Sequence, residues 1–374
     1  MTLRLPVYLD YHATSPCDPE VVAAMMPYFG AEKFGNANAR THQNGRHAAQ
    51  ALDRAKMEIA ALLNGTPETL TLTSGATESN MMVFRGLMDK ASSRTEILIS
   101  ALEHQSVVDA AHRSGLAVTI IPASPGGFIL PDVLRTLIST KTRLVSVMMA
   151  NHDIGTIQAV RDLADISHEA GALFHCDATQ AAGKIPLDVQ ALGADFLSLS
   201  AHKFYGPQGI GALYARSGPL SRPGTVPLAL AVGMGEACRI ARQTMQDESR
   251  RLQRLTDILL TALQASLPGL QVNGALSPRL PGSLNLRFPG LNAEDMILDL
   301  DADLCLSTGA ACASKTRKPS PVLKAIGLSD LDISSSIRLS LGRMTAQEDV
   351  VYAAEKMIAA CILQRNPCIS QARQ

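Results

Sequence analysis

Short apolar runs alternate with amphipathic stretches through the first two-thirds of the chain. Residues 70–73, 96–100, 117–121, 143–148, 172–176, 196–200 and 211–214 read as strands. Most are apolar throughout rather than alternating with polar residues. This predicts strands buried on both faces, in a parallel or mixed sheet covered by helices. Helical spacing over 76–88, 106–114 and 161–170 supplies the covers, and the alternation predicts a doubly wound α/β domain. From 226 to 267 the pattern is helical and stops at Pro268-Gly269. Beyond it, helices over 293–300 and 322–326 mix with strands over 304–307 and 336–340. A last helix opens on Thr345-Ala346-Gln347-Glu348, a capping-box arrangement. The expected division is a large α/β domain over 1–250 and a smaller α+β domain over 251–374.

Composition narrows the function classes. Among 374 residues, 34 Lys plus Arg balance 34 Asp plus Glu, and no cationic block stands out, which argues against direct nucleic-acid binding. A hydrophobic fraction of 46% is ample for a large core and excludes wholesale disorder. No stretch reaches the roughly 18 apolar residues of a membrane span, and residues 1–10 show no secretory apolar region. Seven cysteines, without a C-x-x-C pair, predict neither a disulfide framework nor a metal site. The expectation is a soluble cytoplasmic protein.

Four local features sit at the ends of predicted strands, where ligands bind in such sheets. Ser74-Gly75-Ala76-Thr77-Glu78 opens a helix with small residues that let backbone N–H groups approach an anion; alone it is equally an ordinary strand–helix joint. Asp177, in His175-Cys176-Asp177-Ala178-Thr179-Gln180, ends an apolar strand where a carboxylate needs a cationic partner, or else caps a helix. Lys203, in Ser200-Ala201-His202-Lys203, is either a Schiff-base amine or a snorkelling lysine. Cys312 lies among small residues in Ser307-Thr308-Gly309-Ala310-Ala311-Cys312-Ala313-Ser314, and Lys315, Arg317 and Lys318 follow. Nearby positive charge favours a reactive thiolate there. An amine, a carboxylate 26 residues before it and a phosphate turn upstream are together what pyridoxal 5'-phosphate (PLP) requires.

With these motifs the chain resembles the cysteine desulfurases of the NifS/IscS type, in the class V aminotransferase group of fold-type I PLP enzymes. The resemblance runs from Tyr8-Leu9-Asp10-Tyr11 to Leu341-Gly342-Arg343. It implies a large mixed-sheet domain with a smaller α+β C-terminal domain, on which residues 1–20 pack. It also implies that Ala76, Thr77, Ser200 and His202 hold the cofactor phosphate, that Asp177 meets the pyridine nitrogen, and that Gln180 lies by the phenolic oxygen. His104, in Glu103-His104, stacks on the ring and shuttles protons. Lys203 carries the cofactor, Cys312 takes the sulfur as a persulfide, and Arg338 and Asn36 bind the substrate carboxylate. Thr225 reaches the phosphate of a partner subunit in a homodimer. L-Cysteine is then the substrate, and a sulfur-acceptor protein (an iron–sulfur scaffold or a sulfur carrier) the downstream partner. A class V aminotransferase, or an inactive homologue serving as an acceptor-binding scaffold, are the alternatives.

Two departures from the family pattern are visible. Where the family has Asn-Asn-Glu-x-Gly, this chain has Asn151-His152-Asp153-Ile154-Gly155, so His152 stands where an asparagine contacts the phenolic oxygen. The expectation is an imidazole that donates an N–H to that oxygen and also gains a proton near neutral pH, the alternative being a ring that points away and only fills space. Between Tyr214 and Arg222 only 215–221 remain, where the family carries a longer stretch close to the cofactor across the dimer interface.

Overall fold

The computed structural model describes residues 5–87, 92–308 and 319–365. Twelve strands are present among them. The first, β1 (Val7–Tyr8), stands outside the large sheet. Then come β2 (Leu70–Thr73), β3 (Glu96–Ser100), β4 (Ala117–Ile121), β5 (Thr142–Ser146), β6 (Leu173–Asp177), β7 (Phe196–Ser200) and β8 (Gly211–Ala215). These seven form one sheet in the order β2-β8-β7-β6-β5-β3-β4. β8 runs antiparallel to both neighbours and the remaining pairs are parallel. Every residue of β2, β7 and β8 is buried, as continuous apolar runs require when helices cover both faces.

The C-terminal third builds a three-stranded antiparallel sheet, β12-β10-β9, from β9 (Gln271–Val272), β10 (Ser283–Arg287) and β12 (Ser336–Ser340). β1 pairs in parallel with β11 (Leu304–Cys305), so the start of the chain is stitched to this layer. The expected strand over 304–307 is thus shorter, although Ser307 still bridges to Arg338 of β12.

One helix, Leu228–Ser266, serves both layers. Ala231, Met234, Ala237, Cys238 and Ala241 join the core beneath the large sheet, while Leu252, Leu255, Leu259 and Leu263 join the core around the small one. It ends just before Pro268, whose ring disfavours the helical conformation for the residue ahead of it, and Leu267 leaves the helix there. The helix Gln43–Leu62 lies along it. A Cβ on Gly235 would meet Ala55 Cα at 2.8 Å, so glycine sets the distance between these helices. The final helix, Gln347–Arg365, is capped differently from the expectation. Thr345 Oγ1 accepts from the Gly342 N–H at 3.0 Å, and the Asp349 carboxylate takes the Ala346 N–H at 2.8 Å. The carboxylate half of the motif has moved one residue along, because Thr345 is spent on closing the preceding turn.

Candidate active site

Five parallel strands deliver their C-terminal ends to one edge of the large sheet, and a cavity of about 480 Å³ opens there. After β2, Gly75 adopts φ +151°, a region that favours glycine, and leads straight into the helix Ala76–Gly86. Glu78 closes this turn from behind. Its carboxylate accepts the Ser74 N–H at 2.5 Å and pairs with Arg222 at 2.8 Å. Arg222 follows the shortened segment, which is therefore fastened to the turn. Ala76 and Thr77 line the cavity.

At the end of β6, Asp177 receives two donors. Asn80 Nδ2 donates to Oδ2 at 2.9 Å, and the Thr179 N–H to Oδ1 at 3.0 Å. Asn80 comes from the helix Ala76–Gly86, so the 74–77 turn and the carboxylate are braced against each other. At the end of β7, Ser200 precedes a single 3-10 turn, Ala201–Lys203. Lys203 Nζ donates to the carbonyls of His12 and Ala13 at 2.6 and 2.7 Å. Gln180 Nε2 donates to the same His12 carbonyl at 2.9 Å. His202 Nδ1 meets Thr14 Oγ1 at 3.0 Å, and burial with Lys203 and Lys184 nearby pushes its imidazole down to about 4.

At the end of β3, Glu103 and His104 take different paths. His104 caps the helix Gln105–Arg113, its Nδ1 accepting from the Ser106 N–H, and its ring stands edge-on to His152 with centroids 5.6 Å apart. Glu103 turns into the core, where Oε1 accepts from the Ser100 hydroxyl at 2.6 Å and the Met148 N–H at 2.8 Å. Burial, with Asp177 adding to it, pushes this acid up to about 8.

After β5, Asn151 Oδ1 accepts the N–H groups of Asp153 and Ile154 and shapes the loop that presents His152. The buried Asp153 accepts from the Ser320 hydroxyl and from Asn285 Nδ2, tying that loop to the C-terminal layer. Burial holds His152 well below the usual imidazole value, and the charges of Arg338 and Lys203 act in the same direction. This corrects the expectation of an imidazole that protonates near neutral pH. Two cations and a desolvated wall keep the ring neutral. Arg338 of β12 donates from Nη2 to Asp10 Oδ1 at 2.8 Å and from Nη1 to the His152 carbonyl at 3.2 Å.

The cavity therefore gathers Ala76, Thr77, His104, His152, Asp177, Gln180, Ser200, His202, Lys203 and Arg338. Two other candidate residues lie elsewhere. Asn36 is exposed in a separate shallow cleft beside His42, and Thr225 is exposed just beyond Arg222. Cys312 lies outside the described residues. Local motifs missed Asp10, His12, Asn80 and Lys184, which belong to the site through tertiary contacts. Lys184 alone carried a local signal, four residues after Gln180.

The donor set fits PLP on an observation of its own. Thr179 Oγ1, His152 Nδ1 and Arg338 Nε are buried without a hydrogen-bond partner among the described residues, as expected where a polar ligand completes the wall. Among the described residues no His, Cys, Asp or Glu cluster suits a metal ion, and no helix is long and apolar enough to cross a membrane.

The family model for "Aminotransferase class-V" matches residues 7–223 and 218–352. A relative named cysteine desulfurase IscS from Ehrlichia chaffeensis is 40% identical, covering 96% of this chain and 92% of its own length. Another of that name, from Methylobacillus flagellatus, is also 40% identical with the same coverage. A solved structure described as a NifS-like protein superposes with a TM-score of 0.87 at 29% identity, covering 95% of this chain and 99% of its own. The NifS-like protein from Rickettsia africae superposes at 0.85 with 26% identity, covering 95% and 99%. With its mixed, mainly parallel sheet, its amine and carboxylate at neighbouring strand ends, and relatives alike over nearly its whole length, the chain belongs to the class-V aminotransferase family, among the cysteine desulfurases of the NifS/IscS type.

Proposed function

We propose that this chain is a PLP-dependent L-cysteine desulfurase that releases L-alanine and leaves the sulfur as a persulfide on Cys312. One observation carries the assignment of its site. Lys203, Asp177, the 74–77 turn and Arg338 line a single cavity. When bound, PLP supplies an electron sink for the charge that develops at the substrate Cα. The turn and the His202 side hold its phosphate, and Asp177, steadied by Asn80 and the Thr179 N–H, holds its ring nitrogen in the protonated form. Arg338, oriented by Asp10, offers a planar fork to the substrate carboxylate. Lys203 moves the Cα proton, and His104, whose ring lines the cavity, is placed to hand a proton to the reacting centre. The Cys312 thiolate attacks the substrate sulfur. The S–S bond forms as the Cβ–S bond breaks, and its electron pair passes to Cβ, which takes a proton to give the alanine methyl.

The same reading includes a homodimer in which Thr225 reaches the partner's site, a second carboxylate contact from Asn36, a cytoplasmic location and a sulfur-acceptor protein downstream. It also divides the chain near residue 250. That point falls in the stretch of the helix Leu228–Ser266 between the residues of one core and those of the other. The test is turnover of L-cysteine by PLP-loaded protein with dithiothreitol. Alanine and sulfide in equal amounts are expected, and Cys312→Ser should keep the cofactor's absorption band and release no sulfide. Pyruvate and ammonia as products would replace this reading with β-elimination.

A further inference from the structure

Two histidines that line the cavity differ in what their rings can offer, and the partners of their Nδ1 atoms decide it. His104 Nδ1 accepts the Ser106 N–H at 3.1 Å. Its ring proton therefore sits on Nε2, which makes His104 a donor toward the site. His12 is the reverse. Its Nδ1 meets the His152 carbonyl at 3.1 Å, and a carbonyl only accepts. The proton is then on Nδ1, and Nε2 carries a lone pair. Among the described residues no hydrogen bond reaches that Nε2.

His12 is seated between the two groups that would receive an amino acid. Its own carbonyl accepts from Lys203 Nζ at 2.6 Å and from Gln180 Nε2 at 2.9 Å. Its imidazole shares the His152 carbonyl with Arg338 Nη1, which donates at 3.2 Å. Its N–H is held by Ser340 Oγ at 2.8 Å, so the residue is fastened to the C-terminal layer as well. An amino acid with its carboxylate on Arg338 and its nitrogen near Lys203 spans this same interval. Lys203, Lys184 and Arg338 bring positive charge to it, and the Asp10 carboxylate is taken up by Arg338 at 2.8 Å. An ammonium desolvated among cations needs an acceptor, and a neutral lone pair supplies one. Burial, with the charges of Lys184, Arg338 and Lys203, holds the His12 imidazole well below its ordinary value and so keeps that lone pair free of a proton.

We propose that His12 is a substrate-binding residue whose Nε2 accepts a hydrogen bond from the α-ammonium of the amino acid, so that the site reads a free amino group as well as a carboxylate. This rests on the reading of the cavity as an amino-acid site.

Two measurements test it. In cofactor-free protein with nitrogen-15 labelled histidine, the ring resonances that vanish in His12→Asn belong to His12. They should report a neutral ring protonated on Nδ1 between about pH 6 and 9. A proton on Nε2 anywhere in that range overturns the proposal, whatever becomes of the functional reading. In PLP-loaded protein, L-alanine, which has an ammonium and a carboxylate but no thiol, is titrated against the cofactor's absorption band. Mercaptopropionate, with a thiol and a carboxylate but no ammonium, competes with it. His12→Asn keeps a donor for the His152 carbonyl and loses the Nε2 acceptor. It should raise the alanine midpoint about tenfold or more and leave the inhibition constant of mercaptopropionate within about twofold. His12→Gln, whose amide oxygen reaches the place of Nε2, should recover most of the loss. An unmoved alanine midpoint overturns the proposal. So does an equal rise for both ligands, which would be an effect on packing or on the carboxylate, and so does a glutamine variant as weak as the asparagine one. Wild type that answers alanine but yields no sulfide from cysteine would sink the desulfurase reading, and the alanine midpoints would still decide the role of His12.

Discussion

Glu103→Gln isolates the cost of a buried acid beside Asp177. Glutamine keeps the shape and can present its oxygen to the Ser100 hydroxyl and the Met148 N–H, but it does not ionise. Burial raises the Glu103 acid from an ordinary 4.5 to about 8 in the folded chain. The folded state therefore holds this proton more tightly than the unfolded state. Its contribution to stability is complete below pH 4.5 and is lost as pH rises to about 8. A gap of about 3.5 pH units, at 1.36 kcal/mol each, sets a ceiling of about 5 kcal/mol, and relaxation around a buried carboxylate returns roughly half of it. The assay is urea unfolding of wild type and Glu103→Gln at unit steps from pH 5 to 9. Every other titrating group is common to both chains and cancels in the difference. Wild type should lose about 2–5 kcal/mol relative to the variant across that range, with no further divergence above pH 9. Parallel curves would refute the reasoning, whatever the constant offset from the extra amide N–H.

Three further outcomes follow from the site and its supports. His152→Asn and wild type should both give a single-step pH titration of the cofactor band between pH 5 and 9, because the imidazole stays neutral; a two-step curve in wild type would contradict this. Arg338→Lys should raise KM for cysteine about tenfold or more, since an ammonium does not reach Asp10, the His152 carbonyl and a carboxylate together; an unchanged KM places the carboxylate elsewhere. Arg343 holds Asp18 at 2.6 Å and Glu248 at 2.9 Å and stacks 4.1 Å over the Tyr205 ring. Arg343→Met leaves two largely buried carboxylates without a cation and should cost about 2–4 kcal/mol in urea unfolding; a loss below 1 kcal/mol would mean that water solvates them.

The large sheet was legible because its strands are apolar runs with sharp ends. The bounds expected for β2, β3, β4 and β7 coincide with those observed, and the other three strands of the sheet shift by one or two residues. Several elements escaped, and two of them did so for opposite reasons. The helix Gln43–Leu62 buries a face made largely of alanines, Ala48, Ala51 and Ala55 among them, so few large apolar side chains mark it. β10 is a clean alternation, but Pro281-Gly282 and Pro289-Gly290 frame it like a loop. In the site, residues that act from strand ends were visible as motifs. Asp10, His12 and Asn80 were not, because their neighbours in space lie far away in sequence: Asn80 meets Asp177, and Asp10 meets Arg338.

The pairing of β1 with β11 has a consequence for how the protein is made. Val7 leaves the ribosome about 300 residues ahead of its partner Leu304, an interval of roughly 15–60 s at 5–20 residues per second. Through that interval β1 and Asp10 have no C-terminal layer to hold them, whereas residues 14–18 bond to the turn after β7. The large sheet has all seven strands in hand once Ala215 has emerged. The nascent chain thus holds all seven strands of the large sheet before Arg338 of β12 exists, and β1 is seated only after β11 has followed.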